Sequence, residues 1–187
     1  MIKALFFDLD GTLVDTHMAN YVAYNHALNE AGVDISYDEF KKSIGYQAST
    51  FLRWFAPGLS DTDYRRIAKQ KALHYKEAVK RTVPNRALID LLRISKKSCK
   101  IVLVTTAKRE NVQVVLKHHD LLDCFDDIVC AEDVEQSKPS PECYLLALGR
   151  NELLPSEVLA FEDSAPGVEA AERAGIPVLV VKDFIIK

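Results

Sequence analysis

Near its N-terminus the sequence reads Ile2-Lys3-Ala4-Leu5-Phe6-Phe7-Asp8-Leu9-Asp10-Gly11-Thr12-Leu13-Val14-Asp15-Thr16, an apolar run that leads directly into acidic residues. The apolar run predicts a buried strand, and Gly11 allows the chain to turn after it. Because the chain peels away at the end of a strand, Asp8 and Asp10 can converge on one pocket. Such a pair favours covalent phosphoryl transfer, in which one acid attacks and the other moves protons. The alternative is a solvent-exposed turn, where Asp-Gly pairs are common.

Two later segments could complete a phosphate site. Thr105-Thr106-Ala107 follows the β-branched run Ile101-Val102-Leu103-Val104, which predicts a buried parallel strand. A hydroxyl and two backbone amides at its end could hold an anion, or they could be an ordinary strand cap. Lys138 lies in the proline-containing segment Gln136-Ser137-Lys138-Pro139-Ser140-Pro141-Glu142. It could be a fixed cation between carboxylates and phosphate, or a solvated surface lysine.

A second acidic motif, Phe161-Glu162-Asp163-Ser164-Ala165-Pro166-Gly167-Val168, follows the apolar residues Val158-Leu159-Ala160. This pattern again predicts a strand that ends in acids. Carboxylate oxygens suit magnesium, whose octahedral shell is completed by water and substrate oxygens. The alternative is that Glu162 and Asp163 are helix-capping residues.

In this order, the four motifs resemble those of the haloacid dehalogenase superfamily, in its phosphatase branch, and the resemblance covers nearly the whole chain. It implies that Asp8 is a nucleophile that forms an aspartyl phosphate and that Asp10 is the general acid and base. It further implies that Thr105, with the amides of Thr106 and Ala107, binds the phosphoryl oxygens, and that Lys138 offsets their charge. The implied cofactor is Mg²⁺, with metal ligands from Asp8, the Asp10 carbonyl, Asp163 and Glu162.

The residue at position 10 separates branches of this superfamily. By the same resemblance, dehalogenases of the superfamily have no carboxylate at the position of Asp10, because their reaction releases no alkoxide that needs a general acid. Asp10 therefore favours phosphate esters as substrates.

Helices and strands alternate in the second half of the sequence. Strands are predicted at Ile101, Ile128, Val158 and Val178, and helices from about Asn85, Arg109, Pro141 and Pro166. This pattern indicates an α/β fold, a Rossmann-like parallel sheet of about five strands with helices on both faces, formed by residues 1–15 and 83–187. Ligands of such sheets bind at the carboxyl ends of the strands near a topological switch point, where all four motifs fall.

Residues 16–82 contain no convincing strand and predict an inserted, all-helical cap domain. Helices are expected at 17–31, from Ser36 with Glu39 in a capping box, at 47–55, and from Ser60 to about Arg81. By resemblance, the cap closes over the pocket and selects the leaving group.

Substrate-binding candidates in the cap are Gly45 and Arg53, with Trp54 beside them. The favoured alternative places Trp54 in the cap core, with Phe51 and Phe55, and makes Arg53 a surface charge. The five histidines show no ligand spacing and are expected on helix surfaces.

Composition limits the partners and the compartment. The chain has 187 residues and a net charge of −3, with no basic stripe, so no nucleic-acid partner is expected. No apolar run approaches the length of a membrane span, and no membrane partner is expected. The four cysteines lack metal-like pairing and indicate a reducing compartment, with the cytoplasm as the default. A monomer or weak homodimer is expected.

The sequence thus predicts a Mg²⁺-dependent phosphatase for a small phosphorylated metabolite, such as a sugar phosphate, phosphoglycolate or a nucleoside monophosphate. One alternative is a mutase like β-phosphoglucomutase. Those relatives keep a histidine and an arginine in the cap, whereas this chain has Asn20 in the comparable stretch and no arginine near Gly45. The second alternative is a catalytically silent binding or regulatory protein that kept the fold.

Overall fold

The structure is a computed structural model that describes residues 1–44, 46 and 48–182. The strands of the described part are β1 (Ala4–Phe7), β2 (Val14–Asp15), β3 (Val83–Pro84), β4 (Lys100–Val104), β5 (Asp127–Val129), β6 (Val158–Glu162) and β7 (Val178–Val180). Its α-helices are α1 (His17–Asn29), α2 (Tyr37–Phe40), α3 (Ala48–Phe55), α4 (Asp61–Ala78), α5 (Arg86–Ser95), α6 (Arg109–His118), α7 (Glu142–Asn151) and α8 (Ala165–Arg173). None of these helices is both long enough and apolar enough to cross a membrane.

Five strands form one parallel sheet in the order β5-β4-β1-β6-β7. The chain fills the β5 side first and then returns to β6, so the switch point lies between β1 and β6. This sheet confirms the predicted fold class. It also brings the ends of β1 and β6, each followed by acids, next to one another.

Strands β1, β4 and β6 are buried on both faces of the sheet, which explains their continuous apolar runs. Successive side chains of a strand point to opposite faces, so Ala4 and Phe6 join one buried cluster while Leu5 and Phe7 join another. Helices α7 and α8 cover the first face and helices α5 and α6 cover the second. Phe7 also stacks on Phe161 of the neighbouring strand, with ring centroids 4.7 Å apart.

Helices α1 to α4 surround a third buried cluster, whose largest members are Tyr24, Leu28, Phe40, Phe51 and Ile67. The predicted capping box at Ser36 is present, because Glu39 and Ser36 exchange hydrogen bonds. The helix expected to reach Arg81 ends instead at Ala78 and continues as a 3₁₀ turn. Gln47, where the third helix was expected to begin, lies outside the described residues. The division into a core and a cap domain stays a prediction.

Two features of this region differ from expectation. Trp54 is 49% exposed and packs its ring on Tyr46, whereas Phe51 is buried, because Trp54 lies on the outer side of α3. The short strands β2 and β3 form an antiparallel pair that the sequence did not predict. Two-residue strands carry too little pattern to be recognised, yet this pair joins the two chain segments that connect the helices to the sheet.

Candidate active site

Asp8 is held by the sheet itself. It follows β1, the central strand, and its backbone N–H donates to the carbonyl of Phe161 at 3.0 Å. The residue is 6% exposed. Burial raises the pKa of its carboxyl well above the usual value, while the charge of Lys138 acts in the opposite direction.

The loop after β1 requires a glycine. Gly11 has a φ of +91°, and a Cβ at this position would lie 2.1 Å from Oδ2 of Asp163. Next to it, the Thr12 hydroxyl donates to Oδ1 of Asp163 at 3.1 Å. The first acidic loop is therefore packed against the second, which brings the carboxylates of Asp8 and Asp163 close together.

Lys138 connects three strands at this edge of the sheet. Its Nζ donates to Oδ1 of Asp8 at 2.7 Å, to Oε1 of Glu162 at 2.5 Å and to the carbonyl of Val104 at 2.9 Å. Burial disfavours the charged amine, but the carboxylates of Asp8 and Glu162 outweigh burial and raise the pKa of Lys138. Lys138 is therefore a buried cation and not a surface lysine.

Tyr144 is a member of this cluster that sequence reasoning missed. Its hydroxyl donates to Oε1 of Glu162 at 2.6 Å, and its ring centroid lies 5.3 Å from Nζ of Lys138. The residue is fully buried in α7. The sequence showed it only as one apolar position of a helix, with no signal of a polar partner.

The acidic residues fit a divalent cation. One carboxylate oxygen from each of Asp8, Glu162 and Asp163 lies within 4.8 Å of the others. Oε2 of Glu162 is buried and has no hydrogen-bond partner among the described residues. Burial, followed by the charge of Glu162, raises the pKa of Asp163 to about 6. Crowded carboxylate oxygens with one buried atom unsatisfied are the donor set that Mg²⁺ prefers.

Asp10 lies in a different environment from Asp8. It is half-buried, and its Oδ1 accepts a short hydrogen bond from the Thr16 hydroxyl and a second from Nδ2 of Asn20 at 3.3 Å. Nδ2 of Asn20 also lies 3.1 Å from Oγ1 of Thr16. Thr16 is the N-cap residue of α1 and Asn20 lies in its first turn, so α1 orients the carboxylate of Asp10. Sequence reasoning had given neither residue this role.

The Thr105 segment lies at the end of β4 beside Lys138. Thr105 is buried, and its backbone N–H donates to the carbonyl of Val129 at 3.0 Å. The amide of Ala107 donates to Oγ1 of Thr105 at 3.0 Å, so one of the two amides proposed for phosphate already has an internal partner. Thr106 and Ala107 are both half-buried. Their role in phosphate binding stays a prediction.

The predicted cap residues are placed differently. The guanidinium of Arg53 is exposed, pairs with Asp61 at 2.8 Å and lies over the ring of Tyr64. These contacts match the alternative interpretation of Arg53 as a surface charge, and its substrate-binding role remains untested. Gly45 lies outside the described residues.

Two further residues near the first acidic loop were not predicted as part of the site. Lys71 of α4 is 4% exposed, and its Nζ lies 3.8 Å from the ring centroid of Tyr75 and 5.1 Å from that of Tyr24. Burial lowers the pKa of Lys71 to about 7, although the charge of Asp10 opposes this shift. His17, expected on a helix surface, has Nε2 only 3.0 Å from the position of a Cβ on Gly11. The first turn of α1 faces the acidic loops because β2 ends directly before it.

Known proteins share this architecture. A phosphorylated carbohydrates phosphatase of Thermotoga maritima is 31% identical over 180 residues, which cover 94% of this chain and 82% of that protein. The crystal structure of CbbY from Rhodobacter sphaeroides in complex with phosphate has a TM-score of 0.87 and 26% identity, covering 96% of this chain and 86% of that one. The β-phosphoglucomutase of Clostridium difficile has a TM-score of 0.86 and 25% identity, covering 98% and 86%.

Comparison with known protein families agrees with these likenesses. The model of the haloacid dehalogenase-like hydrolases matches residues 5–181, which include both acidic loops, the Thr105 segment and Lys138. The chain belongs to the haloacid dehalogenase-like hydrolase family.

Proposed function

We propose that this protein is a magnesium-dependent phosphatase that hydrolyses a small phosphorylated carbohydrate through an aspartyl-phosphate intermediate. The observation that carries the proposal is the unequal environment of two carboxylates. Asp8 is buried and forms an ion pair with Lys138, whereas Asp10 is half-buried and accepts a hydrogen bond from the hydroxyl of Thr16. Two acids kept apart in this way can divide the roles of nucleophile and proton carrier.

In the first step, an oxygen of Asp8 attacks the phosphorus atom and the bond to the ester oxygen breaks. Oδ1 of Asp8 is bound to Lys138, so the other carboxylate oxygen is the one available for attack. Asp10 gives its proton to the departing alkoxide, which leaves as an alcohol.

In the second step, Asp10, now ionised, accepts a proton from a water molecule. That water attacks the phosphorus of the aspartyl phosphate, and the bond to the Asp8 oxygen breaks to release inorganic phosphate. Thr16 and Asn20 keep Asp10 in position for both transfers. Lys138 remains charged throughout and offsets the negative charge of the transferred group.

The residues that would hold Mg²⁺ are Asp8, Glu162 and Asp163, with the backbone carbonyl of Asp10 as a further ligand. When bound, the cation supplies positive charge that keeps these crowded carboxylates ionised beside an anionic substrate. The buried, unsatisfied Oε2 of Glu162 supports this assignment.

We further propose that residues 16–82 act as the cap and that Lys71 contacts the leaving group. Lys71 is the buried amine of α4, lies between two tyrosine rings, and is close enough to Asp10 for their charges to interact. Among the described residues Lys71 pairs with no carboxylate, so a ligand can supply acceptors for its amine. Sugar hydroxyls and a second phosphate group both provide the required acceptors.

The Lys71→Met variant should lose about 10- to 100-fold in kcat/KM toward sugar phosphates, the equivalent of one charge-assisted hydrogen bond. It should lose little toward methyl phosphate, whose leaving group has nothing for the amine to contact. The exposed Lys69→Met on the same helix is the matched control. An equal loss on both esters would show that Lys71 acts on the reacting centre and does not recognise the leaving group.

The pH dependence of stability gives a second readout on the same variant. The pKa of Lys71 is about 7 in the folded protein and near 10.5 when exposed, so the unfolded chain binds an extra proton between these values. The wild-type free energy of unfolding should therefore rise from pH 7 to pH 10 relative to that of Lys71→Met. Urea unfolding at several pH values measures this difference.

The function itself is tested by phosphate release from a panel of phosphomonoesters with and without magnesium. Turnover that depends on magnesium would support a phosphatase and rank sugar phosphates against phosphoglycolate and nucleoside monophosphates. The likeness to β-phosphoglucomutase favours a mutase as the second candidate. Isomer interconversion that needs a bisphosphate and releases little phosphate would select it. No reaction with any ester would leave a binding protein.

The compartment and oligomeric state are also proposals. All four cysteines are free, which suits a reducing compartment such as the cytoplasm. We expect a monomer or weak homodimer, which sedimentation at several concentrations would detect.

A further inference from the structure

We infer that Tyr144 is a positioning residue of the cation site: its hydroxyl fixes Oε1 of Glu162 against Lys138 and so keeps Oε2 free as a ligand. The inference rests on the proposed magnesium site, because it explains how one oxygen of a buried carboxylate stays available. In the proposed site, Tyr144 touches neither substrate nor cation.

The two oxygens of Glu162 have unequal surroundings. Oε1 accepts from Nζ of Lys138 at 2.5 Å and from the Tyr144 hydroxyl at 2.6 Å, whereas Oε2 has no partner among the described residues. Glu162 is 0% exposed, so bulk solvent does not reach this oxygen. Leaving a buried carboxylate oxygen without a donor is unfavourable, so a cation is expected to bind at Oε2.

One segment supplies both donors. Lys138 lies in the loop before α7, and Tyr144 lies in the first turns of that helix. With Lys138 alone, the carboxylate could turn and share the ammonium between its two oxygens. The added phenol makes Oε1 the better acceptor, so the carboxylate keeps one orientation. Gly167 leaves room for the whole carboxylate group, because a Cβ there would lie 2.1 Å from Oε2 and 2.4 Å from Oε1 of Glu162.

A purely structural role would require only the ring. Tyr144 packs with Ala147 and Leu148 of α7 in the buried cluster of that face, a place that phenylalanine would also fill. A buried phenol is favourable only with a hydrogen-bond partner, and its partner here is the carboxylate that Lys138 also binds. The hydroxyl is therefore the part of Tyr144 that needs a functional reason.

The test is direct magnesium binding by titration calorimetry, without substrate, to the wild type and to Tyr144→Phe. Loss of such an outer partner should raise the Kd for Mg²⁺ by about 10- to 100-fold. The matched control is Tyr64→Phe, which removes a hydroxyl that donates to the Ala56 carbonyl at the same 2.6 Å, and its Kd should not change. In kinetics, Tyr144→Phe should need more magnesium but approach the wild-type kcat at saturation.

A double-mutant cycle shows whether Tyr144 acts through Glu162. Glu162→Gln should weaken binding on its own, and adding Tyr144→Phe should weaken it little further. Additive losses would overturn the inference, as would a folded Tyr144→Phe protein with the wild-type Kd. If Tyr144→Phe does not fold, the double variant, which carries no buried Glu162 charge, is compared with Glu162→Gln, and a further large loss again overturns it. A wild type that binds no magnesium would instead reject the proposed cation site, and this inference with it.

Discussion

Asp8→Asn should lower kcat for phosphate release by at least about 10⁴-fold for every ester that the wild type hydrolyses. Asparagine has nearly the shape of aspartate, but its amide cannot form the aspartyl phosphate. The residue at position 8 is buried at the end of the central strand, so water cannot easily replace it as the nucleophile. Rapid-quench experiments with labelled substrate should find protein-bound phosphate in the wild type and none in the variant.

The control for this experiment is Asp90→Asn, the same change at an exposed position of α5. It should keep wild-type kcat, because Asp90 is solvent-exposed and takes no part in the cluster of Asp8, Lys138, Glu162 and Asp163. Unfolding curves establish that Asp8→Asn is folded. Release by a folded Asp8→Asn at more than a few per cent of the wild-type rate would contradict the nucleophile assignment, since an amide cannot carry the phosphoryl group.

Lys138→Met should lose both stability and activity. Methionine keeps much of the length of lysine but leaves the carboxylates of Asp8 and Glu162 buried without their cation. Breaking a buried pair in this way costs about 3–5 kcal/mol in the free energy of unfolding. The kcat should fall by about 10²- to 10³-fold or more, because a preorganised charge at the transferred group is removed. Chemical denaturation and steady-state kinetics measure the two effects.

The stability loss should depend on pH in a defined direction. Burial already raises the pKa of Asp8 in the wild type, and the charge of Lys138 lowers it, so without Lys138 this pKa rises further and the folded variant binds more protons than the folded wild type. The difference between wild type and Lys138→Met should therefore be largest near pH 7 and shrink toward pH 4. The exposed Lys117→Met on α6 should show almost no difference at any pH. A pH-independent loss would mean that packing, and not charge, explains the effect.

Much of the fold could be predicted because it depends on local patterns. Short apolar runs flanked by helical periodicity identified β1, β4, β5, β6 and β7 and their parallel pairing. Local capping chemistry likewise placed the start of α2 at Ser36. The β2–β3 pair and the exposure of Trp54 were missed. A strand of two residues is too short to show a periodic pattern. The side of α3 that faces solvent depends on what packs against its other side.

The sequence by itself determined which residue types end the strands of the sheet, since acids, hydroxyls and a lysine follow the apolar runs directly. It did not determine which of them touch. The strand order β5-β4-β1-β6-β7 brings Asp8 beside Glu162, and the fold brings Lys138 between them although Asp8 and Lys138 are 130 residues apart. Tyr144, Lys71, Thr16 and Asn20 became recognisable only in the structure. Helix packing against distant segments brings them close to Asp10 or Glu162, and the local sequence carries no signal of that placement.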